Sequence, residues 1–531
     1  MTVRARAWLR DPLVLLALIA GLGAFVVQSG ELGSADTMHR LQTAHSFWTS
    51  EPPVFPQEYP EFGVHGRGGK LFDWYGLGQP LLMLPADIVG TYIERLPLFK
   101  DYNGNDPSVR NIVVSYSTNV LLSVLTALVC FRFLRWLSFT TRQAVAGVLA
   151  LLFCTTHLHY TQNMMENNYI MLLTLVGFTF QYEWLRTGSR RALVVGSAAL
   201  GLNLLTRLTT GLDLLAGAAF LFLVLWFERV SDRVLWERFV AYVKIALPVY
   251  AIFLLVDRLY QYYRFGSFFN TYVHYFAVER RLLDPSLPAS YPFENPFHAG
   301  FLGALFAPEK SIFLFDPLVI LTIVITALAW KRFRPEIRAY VVATSLLLLA
   351  YISFYAKYTV WSGDFAWGDR YVSTAAELVA SISVPLLLRY RTDLGKLIWT
   401  IGVMLIAVSA AIQLASLAFW VPLEIYQMET LGHPTFVIAL RLKNIAAFEL
   451  GKVDAWGLSN HAMTEDLWDY VHITTWNFLP FLLRRSGEAH AWVVKLCFSV
   501  WIAGVAALGW MFWRLREVLA SSPVDEDLAP S

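Results

Sequence analysis

Between residues 12 and 513 the chain repeats apolar stretches long enough to cross a bilayer, and the connections between them alternate in charge. A span needs about 20 mostly apolar residues, and that rule marks roughly twelve. They are 12–28, 109–131, 143–157, 168–184, 192–206, 211–227, 240–257, 311–330, 338–355, 371–388, 397–420 and 491–513. The apolar piece at 76–92 contains Pro80, Pro85 and Asp87 and reads as interfacial or re-entrant, not as a crossing. The expected fold is an all-α integral membrane protein with about 12 transmembrane helices. Composition agrees: 15% of the 531 residues are charged, against roughly 25% in soluble domains, so lipid as well as a core must cover the apolar surface.

Orientation follows from the arginines. Arg4, Arg6 and Arg10 precede the first span, and alternate connections carry Arg132/Arg135/Arg142, Arg186/Arg190/Arg191, Arg229/Arg233/Arg238, Lys331/Arg332/Arg334/Arg338 and Arg389/Arg391/Lys396. Arg514 and Arg516 follow the last span. Short basic connections face the cytoplasm, so both termini are expected there, and a wrong span count would scramble the pattern. The long connections 29–108, 258–310 and 421–490 then lie outside a bacterial cytoplasmic (inner) membrane, with the shorter ones at 158–167, 207–210 and 356–370. Gly33-Ser34-Ala35 vaguely resembles a signal-peptidase site, but the expectation is an uncleaved anchor. The acidic, proline-containing end, Ser521 to Ser531, reads as disordered.

A net charge of +2 supplies no electrostatic argument for nucleic acid. Cys130, Cys154 and Cys497 fall in or beside spans without metal-ligand spacing and read as small apolar fillers.

Chemistry is sought in the outer connections. After the first span, Leu41, Ala44, Phe47 and Trp48 recur at helical spacing, which predicts an amphipathic helix with Ser34 or Asp36 near its start. Asp36 can cap that helix or accept a proton from a hydroxyl. Gly69–Pro85 is dense in glycine and proline, which predicts a fixed non-helical backbone at the membrane surface. It carries Asp73 and Tyr75. His157, His159 and Glu166 sit in a short polar connection and read as solvated or bonded to neighbouring loops; as metal ligands their spacing is a weak signal. Arg207 stands between two spans, where a guanidinium needs an anion. Asp213 is one candidate and a lipid phosphate the other.

Trp361, Asp364, Trp367, Asp369 and Arg370 form the densest polar-aromatic cluster outside the spans. Tryptophans there can be interfacial belt residues, or Arg370 can hold a phosphate while Trp361 or Trp367 packs a sugar ring. Asp316-Pro317 lies one turn inside an apolar stretch, where an acid implies a pocket or a partner.

Asp36 after the first span, Gly69–Pro85, Leu205-Thr206-Arg207, and the pair Leu305–Pro317 with Trp361–Tyr371 together resemble the bacterial membrane glycosyltransferases of the GT-C class. The resemblance is nearest to the group with a dolichyl-phosphate-mannose-mannosyltransferase-like or RgtA/B/C/D-like domain. It reaches to about residue 390; residues 391–531 match no familiar pattern. Many members carry two adjacent acids after the first span, whereas Thr37 follows Asp36 here. The resemblance implies a GT-C-like bundle, with extracytoplasmic loops carrying amphipathic helices. Its shared module would cover 1–258 with the loop 29–108, a variable module 259–513, and a cytoplasmic tail 514–531. It implies transfer of a sugar, with inversion, from a polyprenyl-phosphate donor to a cell-envelope glycan, lipid or protein acceptor. Asp36 would be catalytic and Arg207 and Arg370 would bind the donor phosphate. Asp73, Tyr75, Glu166, Trp361, Asp364, Trp367 and Asp369 would line the substrate, and a divalent metal is left open.

Two other classes share these features. A lipid or glycan transporter or flippase would need a polar lane across the bilayer, yet apart from Lys244 the ionisable residues gather at span ends. A non-catalytic GT-C-like binding protein would keep the architecture and dispense with the base.

Overall fold

The computed structural model describes residues 10–55, 62–99, 102, 104, 107–459 and 473–521. Arg4, Arg6 and the acidic end beyond Ser521 lie outside the described residues.

Among the described residues the fold is all-α apart from one two-stranded hairpin. The first span, α1 (Pro12–Val27), starts where the Asp11 carboxylate accepts from the amide of Leu13 and proline takes the first helical position. A largely buried helix, α2 (Ala35–Ser46), follows, then β1 (Val64–His65) and β2 (Leu71–Phe72), antiparallel with Val64 opposite Phe72. Next come α3 (Gly78–Glu94), α4 (Val109–Trp136), α5 (Thr141–Cys154), the short α6 (His157–Gln162), α7 (Asn167–Thr187), α8 (Arg190–Thr206), α9 (Gly211–Phe227) and the 34-residue α10 (Asp232–Phe265). The second half holds α11 (Tyr272–Leu283), α12 (Phe297–Phe306), α13 (Ile312–Phe315), α14 (Leu318–Ala329), α15 (Pro335–Tyr355), α16 (Ser373–Ser381), α17 (Ser383–Arg389) and α18 (Arg391–Ser416). It closes with α19 (Pro422–Glu429), α20 (Val437–Glu449), α21 (Leu479–Ser486) and α22 (Ala491–Ser521).

Among the described residues six helices are long and apolar enough to cross a membrane: α4, α9 with its preceding turn, α10, α15, α18 and α22. This is a multi-pass membrane protein. Several other expected spans correspond to shorter or interrupted helices. The stretch 311–330 breaks at Asp316-Pro317, where proline lacks an amide hydrogen and Asp316 accepts from the amide and hydroxyl of Thr156 at 2.8 and 3.0 Å. That pairing is the partner the buried acid required. The stretch 371–388 breaks between α16 and α17.

The stretch Gly69–Pro85, expected to be non-helical, is helical from Gly78, within the apolar piece at 76–92. The 17-residue helix carries Pro85 inside and packs on α4. Pro80 stands in the first turn, where no backbone bond is lost, so only the part before Gly78 is non-helical.

A single large core joins α1, α4, α5, α7, α9, α15 and α16 through Leu16, Phe133, Leu151, Phe178, Phe220, Tyr340 and Leu378. By contrast, 11%, 17% and 6% of the most apolar windows of α10, α18 and α22 are buried, so these helices lie at the edge and offer their apolar faces to lipid.

The arginine-rich connections meet at one end of the bundle. Arg132 pairs with Glu183 at 2.7 Å, Arg186 with Glu228 at 2.6 Å, and Arg389 donates to the carbonyl of Ser138 at 3.1 Å. Ser138 in turn bonds Glu336 at 3.1 Å, and Arg332 pairs with Asp393. The alternation in sequence is thus an alternation in space.

Candidate functional site

At the other end of the bundle four segments from different parts of the chain close on one another. The first is α2. Ser34 caps it by accepting from the amide of Thr37 at 3.3 Å, which leaves Asp36 in the first turn with its carboxylate free of capping duty. Asp36 and Arg40 stand four residues apart and therefore share a face. Gly33, with φ +79°, permits the approach: a side chain there would strike Asn163 in the turn after α6. Thr37 fixes the same contact by donating to the carbonyl of Met164 at 2.5 Å.

The second segment is that turn, which carries Glu166 into α7. The third runs from Asp73 to Gly78 and lies flat on the end of α8, since Cβ atoms at Gly76 and Gly78 would collide with Leu205 and Thr206. It places Tyr75 against Arg40, while Arg207 follows directly on the last residue of α8. The fourth is the loop 356–372, whose shape is set by Lys310. The buried ammonium of Lys310 donates to the carbonyls of Asp364, Ala366 and Gly368 at 2.6, 2.9 and 3.3 Å.

Together they form an ionic lattice. Arg370 pairs with Asp36 at 2.5 Å. Glu166 holds Arg40 at 2.6 Å through one oxygen and Arg207 through the other. The guanidinium of Arg40 lies 3.9 Å over the Tyr75 ring, and those of Arg207 and Arg370 lie 5.1 and 5.2 Å from the Tyr371 ring. Tyr371 itself stacks on Tyr355 at 4.4 Å. Three guanidinium groups thus face two carboxylates, and the excess positive charge suits an anion.

Electrostatics of the two acids follow. Burial pushes Asp36 up, but Arg370 and Arg40 outweigh it and hold the carboxyl below the ordinary aspartate value. Glu166 is governed in the same way, with Arg40, Arg207 and Arg370 overcoming burial and holding it well below the usual range. Both acids are ionised at neutral pH. Beside them, burial lowers His39 to about 4, against the pull of Asp36, so it is neutral.

Of the sequence candidates, Asp36, Tyr75, Glu166, Arg207 and Arg370 come together. The rest do not join the lattice. Asp73 is buried elsewhere, accepting from Thr43 at 2.7 Å and pairing with Arg264 at 3.1 Å, where it pins the 62–77 segment to the end of α10. Trp367 is fully buried against Phe315 and His159, so no sugar ring can reach it. Trp361 is half-buried against Gly303. Asp369 is buried and accepts from the amide of Tyr371 at 3.0 Å. Asp364 is exposed, with φ +49°.

Two sequence readings are corrected here. Asp213 does not satisfy Arg207; it accepts from Tyr351 at 3.0 Å and Thr174 at 3.1 Å in the core, and Glu166 takes its place. Of the two readings of residues 157–162, the solvated one fails: they form the buried helix α6, and the histidines meet neighbouring groups instead, His157 3.6 Å from Glu377 and His159 against Asn163. Among the described residues no three His, Cys, Asp or Glu side chains gather as a metal site. The two carboxylates of the lattice are each committed to arginine, which offers a poor ligand set for a divalent ion. Arg40 was not singled out from sequence, although its four-residue spacing from Asp36 was visible there.

The sequence matches no protein-family profile and no curated protein. Among solved structures the chain is similar to ArnT from Cupriavidus metallidurans bound to undecaprenyl phosphate. Identity is 14%, the match covers 93% of this chain and 76% of that one, and the TM-score is 0.42.

Proposed function

We propose that this protein is a membrane glycosyltransferase of the GT-C class. It takes a sugar from a polyprenyl-phosphate donor and passes it, with inversion, to a cell-envelope glycan, lipid or protein acceptor. The reaction is assigned to the outer face of the bacterial inner membrane, with both termini cytoplasmic, residues 1–258 as the shared module and 259–513 as the variable one. The observation that carries this reading is the excess positive charge around Asp36, opposite the arginine-rich end of the bundle.

In the proposed reaction the donor phosphate enters between Arg370 and Arg207. The acceptor hydroxyl gives its proton to Asp36, its oxygen bonds the anomeric carbon, and the bond from that carbon to the phosphate oxygen breaks. The leaving polyprenyl phosphate takes the electron pair, and the guanidinium groups stabilise the charge it gains. Before the donor binds, Arg370 and Arg40 depress the basicity of Asp36. Once phosphate competes for those cations their hold on Asp36 weakens, so donor binding makes the base stronger. Tyr75 and Tyr371 keep the guanidinium groups face-on through cation–π contacts.

The test uses proteoliposomes carrying polyprenyl-phosphate sugars in the outer leaflet only, with envelope extract as acceptor. The reading expects labelled product without movement of donor across the bilayer. Donor translocation without transfer would replace it with the flippase reading. Binding alone would replace it with the non-catalytic one.

A further inference from the structure

A cationic, partly apolar corner is built where α21 meets α22. In α21 Leu479, Leu482 and Leu483 are buried while Arg484 and Arg485 are exposed, the pattern of a helix lying in the membrane interface. The amide of Leu479 donates to the carbonyl of Gln28 at 3.0 Å. Trp501 of α22 donates to the carbonyl of Val26 at 2.8 Å. Both contacts fix the corner beside the end of α1 that leads to Asp36, so it lies at the same end of the bundle as the ionic lattice.

Between the two helices is a cavity of about 420 Å³. Its floor is apolar, made by Leu483, Val494 and Phe498, and its rim carries Arg484 and Lys495. Among the described residues no carboxylate pairs with either cation. Arg485 in the last turn of α21 adds a third cation, and the connecting turn carries Glu488 as its one acid, both exposed. Beyond the corner α22 is bare to lipid, with Trp492 and Leu496 each 53% exposed.

We propose that this corner binds an anionic phospholipid, its phosphate held by Arg484 and Lys495 and an acyl chain laid along Val494 and Phe498. A zwitterionic lipid has the same phosphate but carries its own ammonium, which the two cations repel. Charge complementarity therefore selects the anionic headgroup. The site is independent of the catalytic reading, because none of its residues touches the lattice around Asp36.

The experiment places wild type and the double variant Arg484→Ala/Lys495→Ala in nanodiscs of mixed phosphatidylcholine and phosphatidylglycerol. Lipids retained on release from the disc are counted by native mass spectrometry. Wild type is expected to keep phosphatidylglycerol in preference, and loss of two cations near the headgroup plane should weaken that preference about thirtyfold. Equal retention of the two lipids by wild type, or an unchanged preference in the variant, would overturn the proposal. Both side chains are exposed, so an unaltered melting midpoint in pure phosphatidylcholine discs is expected to show that the variant is folded.

Discussion

Arg370 donates to Asp36 at 2.5 Å although 334 positions of chain separate them. The contact ties α2, the helix after the first span, to the loop before α16. It sets the charge state of the one carboxylate in the lattice that is partly open to solvent.

Removing Arg370 should therefore change the pH dependence of the reaction. In wild type Arg370 and Arg40 hold Asp36 below its ordinary value against the opposing effect of burial. With Arg370→Ala, burial meets less opposition and the carboxyl rises. A base must be deprotonated, so the acid limb of kcat/KM should move to higher pH, while the plateau falls about a hundredfold from lost phosphate stabilisation. Steady-state kinetics across pH check both effects.

Glu166 positions two cations at once, and its loss should register as stability. Its carboxyl is held low in the folded protein, so its contribution is present above the unfolded value near 4.5 and is lost as pH falls below it. Glu166→Gln leaves Arg40 and Arg207 buried without their counter-charge, at a cost of about 3–5 kcal/mol. Thermal unfolding should show a lower midpoint at pH 7 and a smaller decline on acidification than in wild type.

Lys310 shapes the loop that delivers Arg370 without reaching the lattice itself. Lys310→Met removes three bonds to loop carbonyls, and about 2 kcal/mol of loop stability is expected to go with them. Hydrogen exchange should rise in residues 358–370 and kcat should fall. The amides of α2 should keep their protection.

Asp73 serves as a contrast. It sits in a buried pair with Arg264 and makes no ion pair with Arg40, Arg207 or Arg370. Asp73→Ala should lower the melting midpoint strongly while the shape of the pH–rate profile stays as in wild type. A displaced acid limb would place Asp73 in the chemistry.

What was legible in the sequence was local. Length and apolar run mark the spans, and the arginine alternation sorts their ends, because each depends on a single window of chain. The helix at 78–94 was missed because Pro80 and Pro85 read as breakers, although proline is harmless in a first turn. The partner of Arg207 was sought six residues away at Asp213, whereas the fold supplies Glu166 from 41 positions upstream. Trp367 read as either an interfacial belt residue or a sugar platform from its polar-aromatic neighbours, and burial removes it from reach of a sugar. Pairings of this kind depend on which helices pack together, and no local pattern encodes that.

The account depends above all on Asp36 taking a proton from the acceptor. Asp36→Asn keeps the side chain's size and removes its basicity. At matched protein level in membranes supplied with polyprenyl-phosphate sugar and envelope extract, the variant is predicted to transfer sugar at least about a hundredfold more slowly while still binding donor. Transfer at the wild-type rate would contradict the account.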